Sequence, residues 1–278
     1  MASADPGVRS QLTWRVLLWH LVLSATVVVL LFAVAWAVLT SLRPASAVFG
    51  LEPVAPTLEH YARVLQRWPV ATLVGNTFVM AAGVALGQVV IGCLAAYALV
   101  HLAPRGRRPV LALMTVSLAI PPQALIVPQY LMATRLGWLN SEAGLIVPQL
   151  GSSALAVLVL VQHVRALPVS AAEAARLDGA LPREVLWHVV LPALRPAIAA
   201  VAVLVFITTW NDYLWPLLIA PRAADTTVQI GLSQFTTAEG NDYGGLLAAA
   251  TLTSLPILLV YLVASRQITE AFMQRGAR

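Results

Sequence analysis

The 278 residues have a mean hydropathy of +0.82, and only 10% of them are charged, against roughly 25% in a soluble domain. With 59% hydrophobic residues, an ordinary water-soluble fold is excluded. The formal net charge of +5 comes from arginine alone, because the chain has no lysine, and its placement reports membrane topology rather than a nucleic-acid partner.

Six apolar runs reach the roughly 18 residues needed to cross a hydrocarbon core; they lie near 16–41, 71–100, 109–134, 143–163, 193–220 and 244–264. In lipid only helices and closed barrels satisfy the backbone, and these runs are too long and continuous for barrel strands. The expected class is therefore an all-α integral membrane protein with six transmembrane helices. With residues 1–15 cytoplasmic, twelve arginines (Arg9, Arg15, Arg105, Arg107, Arg108, Arg165, Arg176, Arg183, Arg195, Arg266, Arg275, Arg278) fall inside and five (Arg43, Arg63, Arg67, Arg135, Arg222) outside. This asymmetry places both termini in the cytoplasm, and residues 16–278 form a single transmembrane domain.

The first run follows Arg9 and Arg15 and is followed by Ala45-Ser46-Ala47, the spacing of a signal-peptidase site. It is longer than the roughly 7–15 residues of a secretory apolar region, so it is read as an uncleaved span. Outside the membrane, PTLEHYARVLQ predicts a short surface helix capped by Thr57, with Leu58, Tyr61, Val64 and Leu65 on one face, as a lid or as a cover for the bundle end. The second span contains Cys93, whose solitude permits neither an internal disulfide nor a cysteine metal cluster, and ends in the basic turn HLAPRGRRP. In the third, AIPPQALIVPQYL brings Pro121, Pro122 and Pro128, which interrupt the helical ladder. Irregular backbone at that depth is tolerated only where it is buried in protein or lines a water-filled cavity, so a passage is expected there.

Asn76, Gln88, Gln123, Gln129, Gln149 and Asn211 fall in or near the spans. An unpaired buried amide costs about a few kcal/mol, so each either bonds between helices or faces a polar cavity. The fifth span closes with TTWNDYLWPLLI. Trp210, Tyr213 and Trp215 suit an interfacial belt, whereas the Asp212 carboxylate needs a partner, water or a cavity, which makes it a functional candidate. Asn76, Gln123, Gln149, Asn211, Asp212 and Tyr213 are the candidate pathway residues.

Between the fourth and fifth spans, Ala171–Pro192 reads AAEAARLDGALPREVLWHVVLP and holds five of the chain's 29 charges: Glu173, Arg176, Asp178, Arg183 and Glu184. Ser170 and Glu173 have capping-box spacing, the alanines favour helix, and Asp178-Gly179 supplies a stop. Pro182 suits the first turn of a second helix carrying Val185, Leu186, Val189 and Val190, before Pro192 and Pro196 shape entry into the next span. The small alanine face, flanked by charges, fits a surface that another protein approaches closely, or a helix resting on the membrane.

Glu173-Ala174-Ala175, then Gly179, then Val189-Val190-Leu191-Pro192 resembles the EAA-x3-G-x9-I-x-L-P signature of permease subunits of binding-protein-dependent ABC importers, with Val189 where Ile is commoner. EAARLDGA, WNDYLWPLL and the proline-rich third span are similar to the carbohydrate branch, specifically its smaller six-span maltose-permease type. The resemblance covers essentially the whole chain. It implies the type I importer permease fold and a bacterial inner-membrane location, with 165–192 as a cytoplasmic coupling loop in which Glu173, Ala174, Ala175, Arg176, Asp178 and Gly179 meet the ATPase. It also implies two ATP-binding subunits carrying ATP and Mg, a second permease forming a heterodimer, an extracytoplasmic solute-binding protein and surrounding lipid, with no nucleic acid. The implied substrate is a sugar or related polyol, with glycerol 3-phosphate or a glycerophosphodiester as the alternative.

Without lysine the chain has no G-x4-G-K-[ST] phosphate loop, so ATP hydrolysis is assigned to another chain. His20, His60, His101, His163 and His188 lack metal-ligand spacing, and Asp225, Glu239 and Asp242 lack a recognisable catalytic spacing. No catalytic residue, metal or cofactor is expected on this chain. A stand-alone carrier, which repeated halves and intramembrane charges would mark, and a membrane enzyme are the rival classes.

Overall fold

Long apolar runs must close their own hydrogen bonds. In the computed structural model, which describes residues 6–50, 52–103, 105–222, 224–237 and 240–273, they do so as helices. In chain order these are α1 (Pro6–Ser41), α2 (Glu59–Arg67), α3 (Val70–Tyr97), α4 (Arg107–Ser117), α5 (Ile126–Arg135), α6 (Glu142–Ile146), α7 (Ala154–Ala166), α8 (Val169–Leu177), α9 (Pro182–Val185), α10 (Leu191–Trp210), α11 (Leu214–Ile219), α12 (Val228–Ser233) and α13 (Tyr243–Met273). Before α13 a two-residue hairpin pairs β1 (Thr236–Thr237) with β2 (Gly240–Asn241).

Four continuous helical stretches are long and apolar enough to cross a membrane: Val16–Ser41, Val70–Leu102, Pro182–Trp210 and Tyr243–Ser265. Two further helix pairs are long and apolar enough together but are sharply bent. Arg107–Ser117 meets Pro122–Arg135 at 91°, and Glu142–Ser152 meets Ala154–Ala166 at 51°. With each broken pair counted once, six crossings result. The prolines act unequally: Pro121-Pro122 stands at the third crossing's break, whereas Pro128 lies in the first turn of α5, where its missing N–H has no intrahelical partner to lose.

The fifth crossing departs from the expected 193–220. It begins at Pro182, because α9 runs through a π-helical turn, Leu186–Val190, directly into α10. Pro192 therefore does not separate two helices. Its ring crowds the carbonyl four residues back, and the wide π turn just before it accommodates that crowding. The crossing stops at Trp210, where Asn211 Nδ2 donates to the Ile207 carbonyl at 2.8 Å and Asp212 Oδ1 accepts from Trp215 N–H at 3.4 Å. Short polar side chains that bond nearby backbone end helices, so Leu214–Ile219 forms the separate α11.

The described residues form two compact units: the chain up to Trp68 with Phe235–Leu252, and Pro69–Gln234 with the chain from Thr253. In the first, the Val16–Ser41 stretch of α1 is strongly apolar and has none of its best window buried within the chain. The α2 helix forms, but Leu58 rather than the expected Thr57 stands at its N-cap; Thr57 Oγ1, one residue earlier, accepts from Glu59 N–H at 3.2 Å. The buried face of the helix differs too: His60 and Val64 are inside while Leu58 and Leu65 are exposed. Gly244 explains the shift, because the His60 ring lies where a side chain on that glycine would stand. Asp242 caps α13 by accepting from Gly245 N–H at 2.8 Å and receives Arg63 at 3.1 Å.

In the second unit α3 packs against α7 and α10. Its buried positions, Leu73, Thr77, Met80, Ala81, Val84, Ala85, Gln88, Val89, Gly92, Cys93, Ala96 and Tyr97, recur every three to four residues, the period of one helix face. Gly83 and Gly87 receive the side chains of Ile146 and Leu150, and Gly92 that of Leu160; small residues of this kind let membrane helices approach closely. Met80, Ala133, Leu145, Trp215, Ile219 and Ala220 form a second buried cluster, in which Trp215 Nε1 donates to the Gly144 carbonyl at 3.2 Å. Trp215→Phe, which loses that bond, worth about 1 kcal/mol, together with the pyrrole part of the indole, is expected to cost less than Trp215→Ala, at about 3–5 kcal/mol. Denaturation of the purified variants in detergent checks the order.

Candidate functional site

The charged island folds into α8 and α9 with a sharp stop between them. The α8 helix starts at Val169, directly after Pro168, so Ser170 is already inside the first turn and no side chain caps the start. The capping box expected of Ser170 and Glu173 is absent for that reason. The equivalent bond occurs one helix later, where Glu184 Oε2 accepts from Leu181 N–H at 2.7 Å. The stop is as expected: Gly179 has φ +87, its N–H donates to Arg176 O, and Ala180 N–H donates to Ala175 O, both at 3.0 Å. These two bonds are the paired closures of a Schellman motif.

The surface this stop presents is polar at its flanks and apolar at its tip. Glu173, Ala174, Arg176, Asp178 and Gly179 are exposed and Ala175 is half-buried. Among the described residues neither ion pair involves Glu173, Arg176 or Asp178. Leu177 is 89% exposed, a value that marks an apolar side chain standing free of its own chain. Sequence reasoning missed it, because a leucine ending an apolar-periodic helix reads as core. Ala172 is buried and anchors α8, while Tyr97 Oη donates to the Pro182 carbonyl at 2.7 Å and ties the next helix to α3.

The candidate pathway residues are scattered by comparison. Asn76 Nδ2 donates to the carbonyls of Ala224 and Thr226 at 2.9 and 3.0 Å and lines a small cavity of about 60 Å³ with Glu142 and Asp225. Gln88, buried, donates to the Gln149 carbonyl at 2.9 Å, an interhelical bond, whereas Gln149 Nε2 returns to Leu145 O within its own segment. Gln123 is exposed at the break of the third crossing and Gln129 is half-buried. Asn211 accepts from Gln229 at 3.2 Å, and Tyr213 is exposed. Asp212 stands beyond the last residue of the fifth crossing; burial raises its carboxyl above the usual carboxylate range, opposed by the N–H groups of Trp215 and Leu214. Most of these groups therefore bond locally, and the structure brings Asn211 and Gln229 together rather than all six candidates.

Several of the residues weighed for other chemistry bond within their own segments. His163 and His188 bond carbonyls four residues back in their own helices. Asp242 is a cap, Asp225 lines the small cavity, and Glu239 lies outside the described residues. Among the described residues no three His, Cys, Asp or Glu side chains are grouped to hold a metal.

Residues 88–271 match the family described as the binding-protein-dependent transport system inner membrane component. The sn-glycerol-3-phosphate transport system permease protein UgpE of Pectobacterium atrosepticum is 36% identical over 200 residues, 71% of this chain and 71% of the relative. The protein of the same name from Agrobacterium fabrum is 32% identical over 204 residues, 73% of this chain and 72% of its own. A chain of a bacterial ABC transporter involved in the import of the acidic polysaccharide alginate has the same fold, with a TM-score of 0.79 at 22% identity over 96% of this chain and 100% of the other. A chain of the MetNI methionine ABC transporter, in an inward-facing conformation, gives a TM-score of 0.59 at 18% identity over 74% of this chain and 98% of its own. The protein is a membrane-embedded transport subunit rather than an enzyme, with ATP hydrolysis left to a separate chain, and it belongs to the inner membrane components of binding-protein-dependent transport systems, the permeases of ABC importers.

Proposed function

We propose that α8 and its Gly179 turn are the coupling helix through which the ATP-binding subunit drives this permease. The observation that carries the reading is the combination of a protruding Leu177, unpaired charges at Glu173, Arg176 and Asp178, and a rigid stop. Beyond the stop, α9 continues without interruption into the fifth crossing. A displacement imposed on α8 by the ATPase is thus passed along a helix that already spans the membrane. Both termini lie in the cytoplasm with this loop, and the assembly contains a second permease as a heterodimer partner, two ATP-binding subunits and one extracytoplasmic solute-binding protein.

Cysteine cross-linking tests the contact. The single native cysteine, Cys93, is buried in α3, so Leu177→Cys supplies a lone accessible thiol. It is expected to cross-link to the ATP-binding subunit in native membranes, whereas a cysteine at exposed Leu102 is expected not to. Equal labelling at both positions contradicts the assignment.

The chain forms half of the translocation pathway for a sugar or related polyol. A second reading, glycerol 3-phosphate, is favoured by the names of the relatives at 32–36% identity. Uptake of labelled sugars and of labelled glycerol 3-phosphate by the reconstituted importer separates the two. In the same assay Asp212→Asn is expected to alter uptake or selectivity severalfold if the carboxylate faces the solute. Unchanged transport restricts Asp212 to capping α11.

A further inference from the structure

Two π-helical turns occur among the described residues, Ala98–Leu102 and Leu186–Val190, and both border one cavity of about 460 Å³. π turns are rare and concentrate at functional sites. Arg107 from the start of α4 and Arg165 from the last turn of α7 line the cavity, together with His101 from the first π turn and Val189 and Val190 from the second. No aspartate or glutamate lines it, and neither described ion pair involves these arginines.

The imidazole adds a second, independent observation. His101 Nε2 is shielded from solvent and has no hydrogen-bond partner. Its ring lies against Tyr97, tilted by 38° with centroids 5.1 Å apart, and Tyr97 is itself fixed by its bond to Pro182. A polar atom held in this way, without a partner, loses its hydration for nothing in return. The start of α8, uncapped by any side chain, contributes Pro168 and Ala171 to the same wall, and the beginning of a helix carries a partial positive charge. Two arginines, an imidazole nitrogen and a helix start thus border an otherwise apolar-walled space that no acidic residue lines.

We propose that this cavity binds a phosphate group, presented either by the headgroup of an anionic phospholipid or by a phosphate in solution. Guanidinium forks match phosphate oxygens in charge and geometry, and helix starts receive the same group. A phosphate held there joins α4, α7 and α8, so its occupancy sets how firmly α8 is seated against the crossings. The cytoplasmic placement of the site, and its effect on coupling, rest on the reading of α8 given above; the binding itself does not.

The test uses the full chain in nanodiscs of phosphatidylcholine, with and without phosphatidylglycerol. Lipid retention is read by native mass spectrometry, and inorganic phosphate binding by titration followed by phosphorus NMR. The Arg107→Gln/Arg165→Gln variant is expected to weaken whichever probe the wild type binds by roughly a hundredfold, the factor expected from losing two charged hydrogen bonds. Arg108→Gln, exposed and outside the cavity wall, is expected to change nothing. Selective phosphatidylglycerol retention identifies a lipid source, and inorganic phosphate binding in phosphatidylcholine alone identifies a soluble one. If the double variant does not fold, Ala193→Phe fills the cavity from another wall position without altering charge and is expected to give the same loss. Binding of both probes unchanged by removing the arginines or by filling the cavity overturns the proposal. A chain that binds phosphate but captures no ATPase overturns the coupling reading and leaves the phosphate site standing.

Discussion

Gly179→Val is expected to leave the chain folded in its membrane and to reduce recovery of the ATP-binding subunit to about a tenth, the change that roughly 1.4 kcal/mol produces. The reason is conformational. At φ +87 the residue occupies the left-handed region, which costs an L-residue about 1–2 kcal/mol and opposes a β-branched side chain still more strongly. Steric crowding plays no part, because a Cβ at Gly179 meets nothing within 4 Å. The two closing bonds, from Gly179 to Arg176 O and from Ala180 to Ala175 O, depend on that backbone angle. Once they are lost, α8 has no fixed end and Leu177 no fixed direction. Gly179→Asn is the matching control, since asparagine visits the left-handed region most readily after glycine; it is expected to retain capture. Equal loss in the Asn and Val variants would show that something other than φ makes glycine necessary.

A large stability effect is also expected at the centre of α3. Gly87→Leu places a branched side chain where Leu150 already sits, and overpacking of this kind costs about 1–3 kcal/mol. The same displacement moves the 146–150 segment away from α3 and endangers the bond from Gln88 to the Gln149 carbonyl, worth about 1 kcal/mol more. Gly75→Leu lies on the same helix with nothing within 4 Å of its Cβ. It controls for the loss of a glycine and for added apolar surface. Thermal denaturation in detergent should separate the two variants clearly, with Gly87→Leu the less stable. Matching transitions would mean that Gly87 is not a seat for Leu150.

The six crossings were legible because apolar length is a one-dimensional property: runs read at 71–100 and 244–264 meet helical stretches at Val70–Leu102 and Tyr243–Ser265. The glycine stop at Gly179 was legible for a similar reason, since a left-handed turn after a helix is encoded within a few residues. Features that depend on a distant partner were not. Gly83 and Gly87 acquire meaning only beside Ile146 and Leu150, and His60 is buried only because Gly244 leaves room for its ring. The start of α8 misled in the opposite direction: Ser170 and Glu173 have capping spacing, but with Pro168 at the N-cap the helix starts two residues too early to use it. The break at Asn211-Asp212 was hidden by the apolar sequence on both sides, which keeps hydropathy high while the local bonds of two polar side chains end the helix. Within the candidate site, the charges and small residues of α8 were readable from sequence, whereas the exposure of Leu177 required the fold.

Affinity purification of the tagged chain from its native membrane in mild detergent, with co-purifying proteins quantified by mass spectrometry, tests coupling through α8 most directly when Leu177→Asp is run beside the wild type. The wild type is expected to bring down an ATP-binding subunit and a second permease in comparable amounts. Leu177→Asp should keep the second permease and lose most of the ATP-binding subunit. Undiminished recovery of the ATP-binding subunit by Leu177→Asp, or a folded wild type recovered with no ATP-binding subunit, would contradict α8 as the coupling helix.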